Sequence, residues 1–312
     1  MNIKRVDGAE FAGLMRDGCC HAYNRVEFSE LNSDKCREVH YLVFNDKKVR
    51  LGLTLGERDG RLLSPFSAPF GGFVNVGDRP IDTYHEAVAL LLDYATAQGC
   101  NVEIALPPAF YGGEEFAKTV SALSRYGQLM WADVNYHYDL TNEESFENRL
   151  KRNARNKWNI ALKHPMVLEV LNADCDADVE RAYKVIQANR QSHGYPLRMS
   201  LDAVLATRKV LEARFLVMSL DGVDIAAAQL QRVTDRVMQV VYWGDVPGYS
   251  DTRVMNRFTL EVFHFCKQCG VDFVDIGPSS EDGMPSFGLC DFKTSLGCEV
   301  SIKPRFRLAC AK

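Results

Sequence analysis

Three β-rich runs, at 215–220, 225–233 and 236–243, follow one another in the second half of the chain, joined only by Asp221-Gly222 and Thr234-Asp235. Runs joined so tightly form an antiparallel meander, because a parallel neighbour needs a crossover of a dozen or more residues. Such a crossover comes next. From about 251 to 269, Met255, Phe258, Val262, Phe265 and Cys269 recur at steps of three and four, the period of a helix with one apolar face. A strand at 271–276 and a closing strand at 299–308 complete the pattern, so this half predicts a mixed sheet carrying helices. Upstream, the same half reads as a helix over 142–163, a strand over 167–171 and helices over 177–192 and 200–213. Ser200 caps the last of these, with Asp202 in its first turn.

The first half has the same kind of order on a different sequence. Strands at 39–44 and 49–55 flank Asn45-Asp46-Lys47-Lys48, which has hairpin-turn chemistry. A run near 61–64 enters a loop, Ser64-Pro65 to Gly71-Gly72-Phe73, whose prolines and paired glycines cannot continue a central strand. A helix over 81–99 with Ala87, Leu90, Leu91 and Tyr94 at helical spacing follows, then a strand at 102–106, a helix at 114–126 and strand at 128–140. The 312 residues have room for two such domains, expected at 1–141 and 142–312, with the closing strand packing back on the first. The repetition is one of architecture, without an aligned sequence period.

Composition removes several function classes. A net charge of −4 is not that of a dedicated nucleic-acid binder, so any polyanion contact is regional. No apolar run approaches the roughly 18 residues of a membrane span, and the N-terminus lacks a signal-peptide apolar region, which predicts a cytoplasmic protein. The ten cysteines are scattered. Cys19-Cys20 are adjacent and Cys266/Cys269 form a lone CxxC inside a predicted helix, without the second pair that a zinc site needs, so reduced thiols and no metal are expected. There is no GxSxG elbow, HExxH or GxxxxGK[ST] loop, and Gly56 and Gly112-Gly113 make no dinucleotide fingerprint.

Between Val271 and Gly297 an apolar strand, Phe273-Val274-Asp275-Ile276, runs into Gly277-Pro278, a small-residue loop, and then Gly288-Leu289 and Asp291-Phe292-Lys293. Glycines at 277, 288 and 297 predict a backbone that turns repeatedly and brings Phe292-Lys293 back toward the strand end. A strand end where backbone is forced open is a common ligand location in α/β folds. The segment 149–163, RLKRNARNKWNIALK, carries six basic residues and no acid. Leu150, Ala154, Trp158 and Ala161 would form its buried side, with Arg149, Arg152, Asn156 and Lys163 opposite. Such a run is either a solvated helix face or a seat for phosphates.

These three stretches resemble the GNAT acyltransferase superfamily, in its double-domain Fem branch (FemABX-like) of aminoacyl and peptidyl transferases that build peptidoglycan bridges. The resemblance covers most of the chain and is strongest at 64–73, 149–163 and 271–297. It implies an α/β fold of tandem GNAT-like domains with mostly antiparallel sheets whose middle strands splay to admit an acyl donor. The 64–73 loop is similar to an SP…PxGGF-type loop, in which Phe66, Phe70 and Phe73 offer apolar walls and Gly71 and Gly72 allow close approach. The basic helix resembles one at the start of the family's second domain, where Arg152 and Arg155 would meet tRNA or another polyanion.

Phe292-Lys293 is similar to the family's Phe-Lys pair near the acyl-donor end of the cleft, where Lys293 would stabilise the oxyanion or hold a donor phosphate. Asp275 is a candidate proton acceptor for the attacking amine, and Tyr242 and Tyr249 for protonating the leaving group. The turn that binds the coenzyme A pyrophosphate in ordinary GNAT enzymes is missing. The corresponding stretch, 242–253, lacks the glycine pattern of that turn and places Asp245 and Asp251 there, although Arg253 is left to reach a phosphate. The implied activity is acyl or aminoacyl transfer to an amine, with aminoacyl-tRNA as the branch's donor. Two alternatives stay open: an acyl-CoA-dependent N-acetyltransferase, and a non-catalytic GNAT-fold protein binding an anion through 149–163.

Overall fold

The computed structural model describes residues 1–18 and 21–310, so the Cys19-Cys20 pair lies outside the described residues. The chain forms two compact units. Unit 1 comprises Met1–Val134, Ser280–Met284 and Ser301–Lys312; unit 2 comprises Asn135–Ser279 and Pro285–Val300.

Unit 1 opens with β1 (Asn2–Val6), α1 (Gly8–Leu14) and α2 (Val26–Leu31), followed by β2 (Glu38–Asn45), β3 (Val49–Arg58), β4 (Arg61–Ser64) and the short β5 (Val74–Asn75). Then come α3 (Ile81–Ala97), β6 (Asn101–Ala105), α4 (Gly113–Tyr126) and β7 (Gln128–Asp139), whose residues to Val134 belong to this unit. Alternation along β2 and β3 sends Leu42, Phe44, Leu51, Leu53 and Leu55 into one core with Tyr84, Val88 and Leu91 of α3. β6 is buried on both faces, and its one charged residue, Glu103, is held by Arg61, Arg305 and Arg307.

In unit 2, α5 (Phe146–Arg149), α6 (Arg152–Ala161), β8 (Val167–Leu171), α7 (Asp176–His193) and α8 (Leu201–Thr207) precede the meander β9 (Ala213–Leu220), β10 (Val223–Thr234) and β11 (Val237–Asp245). Asp221 and Gly222 both take positive φ, as the two-residue turn between β9 and β10 demands. α9 (Val254–Gln268) then crosses to β12 (Phe273–Pro278), which lies parallel to β11. The two-residue strands β13 (Ser280–Glu281) and β14 (Met284–Pro285) form a small hairpin before α10 (Phe287–Ser295) and β15 (Glu299–Leu308). The strand order of unit 2 is β7, β12, β11, β10, β9, β8. In unit 1, β15 lies between β6 and β7.

Four expectations are corrected. The single helix over 142–163 is two helices, because Leu150 is extended and the Lys151 N–H donates to Ser295 O at 2.9 Å instead of continuing a helix. The helix from 200 ends at Thr207, and Arg208 to Leu211 turn the chain into β9. α9 does not bury a single stripe. It packs on β10 and β11 and against α6, so Val254, Phe258, Val262, Phe263 and Cys266 are buried while Met255, Phe265 and Cys269 are only half-buried. Finally, 287–295 is a helix rather than a loop. Gly288 keeps negative φ and fits the helix, whereas Gly277 and Gly297 take the positive φ expected of turns.

Candidate active site

Unit 2 contains a place where its sheet opens. β11 pairs with β12 over three rungs only, Val237 with Phe273, Met238 with Val274 and Gln239 with Asp275. Beyond them β11 stays with β10 as far as Asp245, across a register shift that leaves Val241 as the extra residue between Val240 and Tyr242. β12 instead stays with β7, to the pairing of Pro278 with Asn135. The strands therefore part, and backbone groups from Val240 onward on β11 face an opening instead of a neighbouring strand.

Buried side chains fix the apex of that opening. Asp275 is 0% exposed. Its Oδ1 accepts from Asn135 Nδ2 at 2.9 Å and Gly277 N at 2.9 Å, and its Oδ2 accepts from Gln239 Nε2 at 2.8 Å. A carboxylate so engaged is a structural acceptor, which corrects its reading as a general base. Lys293 on α10 is 2% exposed, and its Nζ donates to the carbonyls of Ile276 (2.8 Å), Gly277 (2.8 Å) and Pro278 (3.1 Å). An ammonium has three protons, and all are taken. Burial pushes its pKa down to about 8 against the pull of Asp275. Lys293 thus sits at the strand end, as expected, but as a strut that satisfies the frayed end of β12 rather than as a free cation in a cleft.

The other expected residues of unit 2 are spread along the opening and the neighbouring helices. Tyr242 lies on β11 just past the register shift, half-buried, with its ring packed into the cluster formed by α7 and β9. Tyr249 precedes a short 3-10 turn and its carbonyl accepts from Thr252. Arg253 takes a left-handed conformation before α9, with its guanidinium exposed and bonded to Ser250 O at 3.2 Å. Asp245 is half-buried, and burial raises its pKa. Phe292 is half-buried on α10 beside Lys293.

The basic segment divides. Arg152 and Arg155 are exposed on α6, and Arg155 reaches back to the Glu147 and Asn148 carbonyls that end α5. Arg149 is not on the exposed face. Its side chain is 6% exposed, lies over the Tyr138 ring at 3.9 Å, donates to Asp139 O and Gly297 O and pairs with Glu299. Charge alone could not distinguish a buried arginine of this kind from its exposed neighbours.

The 64–73 loop belongs to unit 1 and is consumed by packing there. Phe70 is 1% exposed among His21, Tyr23 and Tyr111, and Phe73 packs on Phe44 and Tyr84. Phe66 covers Gly56, Gly71 N donates to Ala105 O at 2.8 Å, and Gly72 N donates to Ser64 Oγ at 3.0 Å. Gly71 has no room for a Cβ, which would lie 2.5 Å from Ser64 Oγ. The glycines serve this fold instead of a ligand's approach, and Phe70, Gly71 and Gly72 show no open face, correcting their reading as a cleft wall.

Among the described residues, one group of carboxylates and histidine has donor atoms within metal-binding reach, Glu38, His40 and Glu57. Arg5 pairs with Glu38 and Arg37 with Glu57, while His40 Nδ1 lies 2.7 Å from Tyr94 Oη, so the group is a charge network of β2 and β3. The CxxC cysteines stand within and just after α9, and burial raises both thiols.

Two residues escaped the sequence reading. Asn189 of α7 is buried and donates to Asp245 O at 2.8 Å, filling the space over Gly244, where a Cβ would lie 2.2 Å from its amide carbon. Arg190 follows it, with its guanidinium over the Tyr242 ring at 5.3 Å. The only sequence signal was their position near the end of an apolar-periodic helix.

No protein-family model matches the chain, and no curated protein matches it. Solved structures do. FemX aligns over 99% of this chain and 97% of its own at 12% identity, with a TM-score of 0.69. L-PGS from Bacillus licheniformis aligns over 97% of this chain and 92% of its own at 10% identity, with a TM-score of 0.61. A tandem GNAT protein from the clavulanic acid biosynthesis pathway aligns over 100% and 99% at 10% identity, with a TM-score of 0.56. The chain has a Fem-like tandem GNAT fold. Among the described residues no helix is long and apolar enough to cross a membrane.

Proposed function

We propose that this chain is an acyltransferase that moves an acyl or aminoacyl group to an amine at the opening between β11 and β12. One observation carries the reading: pairing stops at Gln239 and Asp275 while β11 continues to Asp245 with Val241 set out of register. Backbone N–H groups so released are fixed dipoles that cost no reorganisation when a tetrahedral oxyanion forms beside them. The amine nitrogen attacks the donor carbonyl, its proton passes to water, and the bond from carbonyl carbon to the leaving oxygen or sulfur breaks. The Tyr242 hydroxyl, on the stretch of β11 that has parted from β12, supplies the proton that the leaving group takes up and regains one from water.

Lys293 and Asp275 enter through position. By holding the carbonyls of Ile276 to Pro278 and the end of the ladder, they keep the strands apart, and catalysis by placement asks for little more. The likeness in fold to FemX and to a tandem GNAT protein supports this chemistry without choosing a donor. Exposed Arg152 and Arg155 favour a polyanionic one such as aminoacyl-tRNA, and the carboxylates of Asp245 at the end of β11 and Asp251 just before α9 disfavour a pyrophosphate. The test supplies purified protein with radiolabelled acetyl-CoA or a mixture of aminoacyl-tRNAs and a panel of amines. Label transferred to an amine above the uncatalysed rate is expected with at least one donor; none with either overturns the proposal.

A further inference from the structure

Among the described residues, the half-buried arginines of unit 2 have acceptors, with one exception. Arg149, Arg181, Arg208, Arg232 and Arg257 each donate to a carboxylate or a backbone carbonyl. Arg190, half-buried at the end of α7, makes no side-chain hydrogen bond or ion pair among the described residues, and its Nε is shut away from solvent without a partner. What surrounds it is aromatic. Its guanidinium lies 5.3 Å from the Tyr242 ring centre and 5.9 Å from that of Tyr195, which stacks on His193 at 5.5 Å and 13°.

None of the five donors of this guanidinium is used within the described residues, and the buried Nε left unmade costs more than cation–π contact or the α7 dipole returns, while the terminal nitrogens stay open to a ligand. Its backbone is also held in place. The neighbouring Asn189 bonds to Asp245 O and fills the space over Gly244, so the last turn of α7 is pinned to β11 at 242–245, the stretch that faces the opening. We infer that Arg190, walled by Tyr195 and Tyr242, receives a carboxylate carried by the acceptor, so that the acylated amine belongs to an amino acid or a short peptide.

A carboxylate fits better than a phosphate for two reasons. The planar fork matches two coplanar oxygens. A dianion would meet the negative end of α7 with one cation to offset it. The inference rests on the acyl-transfer reading for the word acceptor, but the carboxylate site stands or falls by binding alone.

The test is calorimetric titration of the full chain with free amino acids and dipeptides, with their C-terminal amides, and with inorganic phosphate. Acids are expected to bind at least about tenfold more tightly than their amides, the loss typical of a charged hydrogen-bonded pair. Arg190→Gln should abolish that preference while keeping the melting temperature, because no protein hydrogen bond is lost, and Arg190→Lys should keep part of it. Equal binding of acids and amides, preference surviving in Arg190→Gln, or binding of phosphate alone would each overturn the inference, as would no binding of any acid. The comparison of acids with amides uses the natural chain, so a variant that fails to fold does not block it. Arg190-dependent acid binding without transfer from any donor would leave the site standing and remove acyl transfer. Transfer to acids and amides alike would do the reverse.

Discussion

Gln239 and Asp275 form the last rung between β11 and β12, and across that rung the Gln239 amide donates to the Asp275 carboxylate at 2.8 Å. Both residues are buried, so this bond closes the ladder where the strands begin to part. The opening is therefore framed by side chains, and those side chains define what substitution should do.

Asp275→Ala strips the acceptor from Asn135, Gly277 and Gln239 at once. Leaving buried donors unmade and Lys293 without its nearby negative charge should cost ~3–5 kcal/mol. Urea unfolding measures it. A loss under 1 kcal/mol would show that the carboxylate does not hold the rung.

Lys293→Met keeps much of the stem but leaves the carbonyls of Ile276, Gly277 and Pro278 without their donor. Stability should fall by ~1–3 kcal/mol, in contrast to an exposed lysine, where such a change stays near ±0.5 kcal/mol.

The same residue predicts a pH dependence. The folded chain releases the Lys293 proton near pH 8, the unfolded chain at its ordinary 10.5. Between those values the unfolded state binds more protons, so the natural chain gains stability relative to Lys293→Met as pH rises, and below about 8 the difference is flat. Unfolding of both proteins across pH 7 to roughly 10.5 reads the slope. A difference that shrinks with rising pH contradicts the assignment.

Gly244→Ala drives a methyl group into the Asn189 amide, at 2.2 Å from its carbon. Overpacking of this kind should cost ~1–3 kcal/mol. Because Asn189→Ala removes the obstacle, the double variant should be more stable than the sum of the two losses implies, and a double-mutant cycle with no coupling would dismiss the contact.

Arg149 and Arg152 should separate two roles that the sequence merges. Arg149→Met should destabilise the fold, having lost the contacts to Tyr138, Asp139, Gly297 and Glu299. Arg152→Gln should leave stability within ~0.5 kcal/mol and instead weaken tRNA binding with a shallower salt dependence. A salt slope unaltered by Arg152→Gln removes α6 from any polyanion contact.

Periodicity and turn chemistry made the β9–β11 meander and the crossover to β12 legible, because Asp221-Gly222 and the apolar spacing of α9 are local properties. α10 was hidden by Gly288, which looks like a turn beside Gly277 and Gly297 and differs from them only in the sign of φ. The break between α5 and α6 was invisible for another reason: the Lys151 N–H is taken by Ser295, far along the chain. Lys293 was placed at the right strand end, but no local pattern says whether an ammonium faces solvent or three carbonyls. Arg190 passed unnoticed because what marks it is the acceptor it lacks, and only packing reveals that.

The position of β15 bears on the order of synthesis. It lies between β6 and β7 in unit 1, yet it follows all of unit 2 along the chain. A growing polypeptide therefore emerges with two strands of unit 1 waiting unzipped for a partner while the whole of unit 2 is translated. Such exposed edges invite pairing with other chains. Nascent chains stalled within unit 2 should accordingly depend on holdase chaperones, a demand that ends when β15 emerges and inserts.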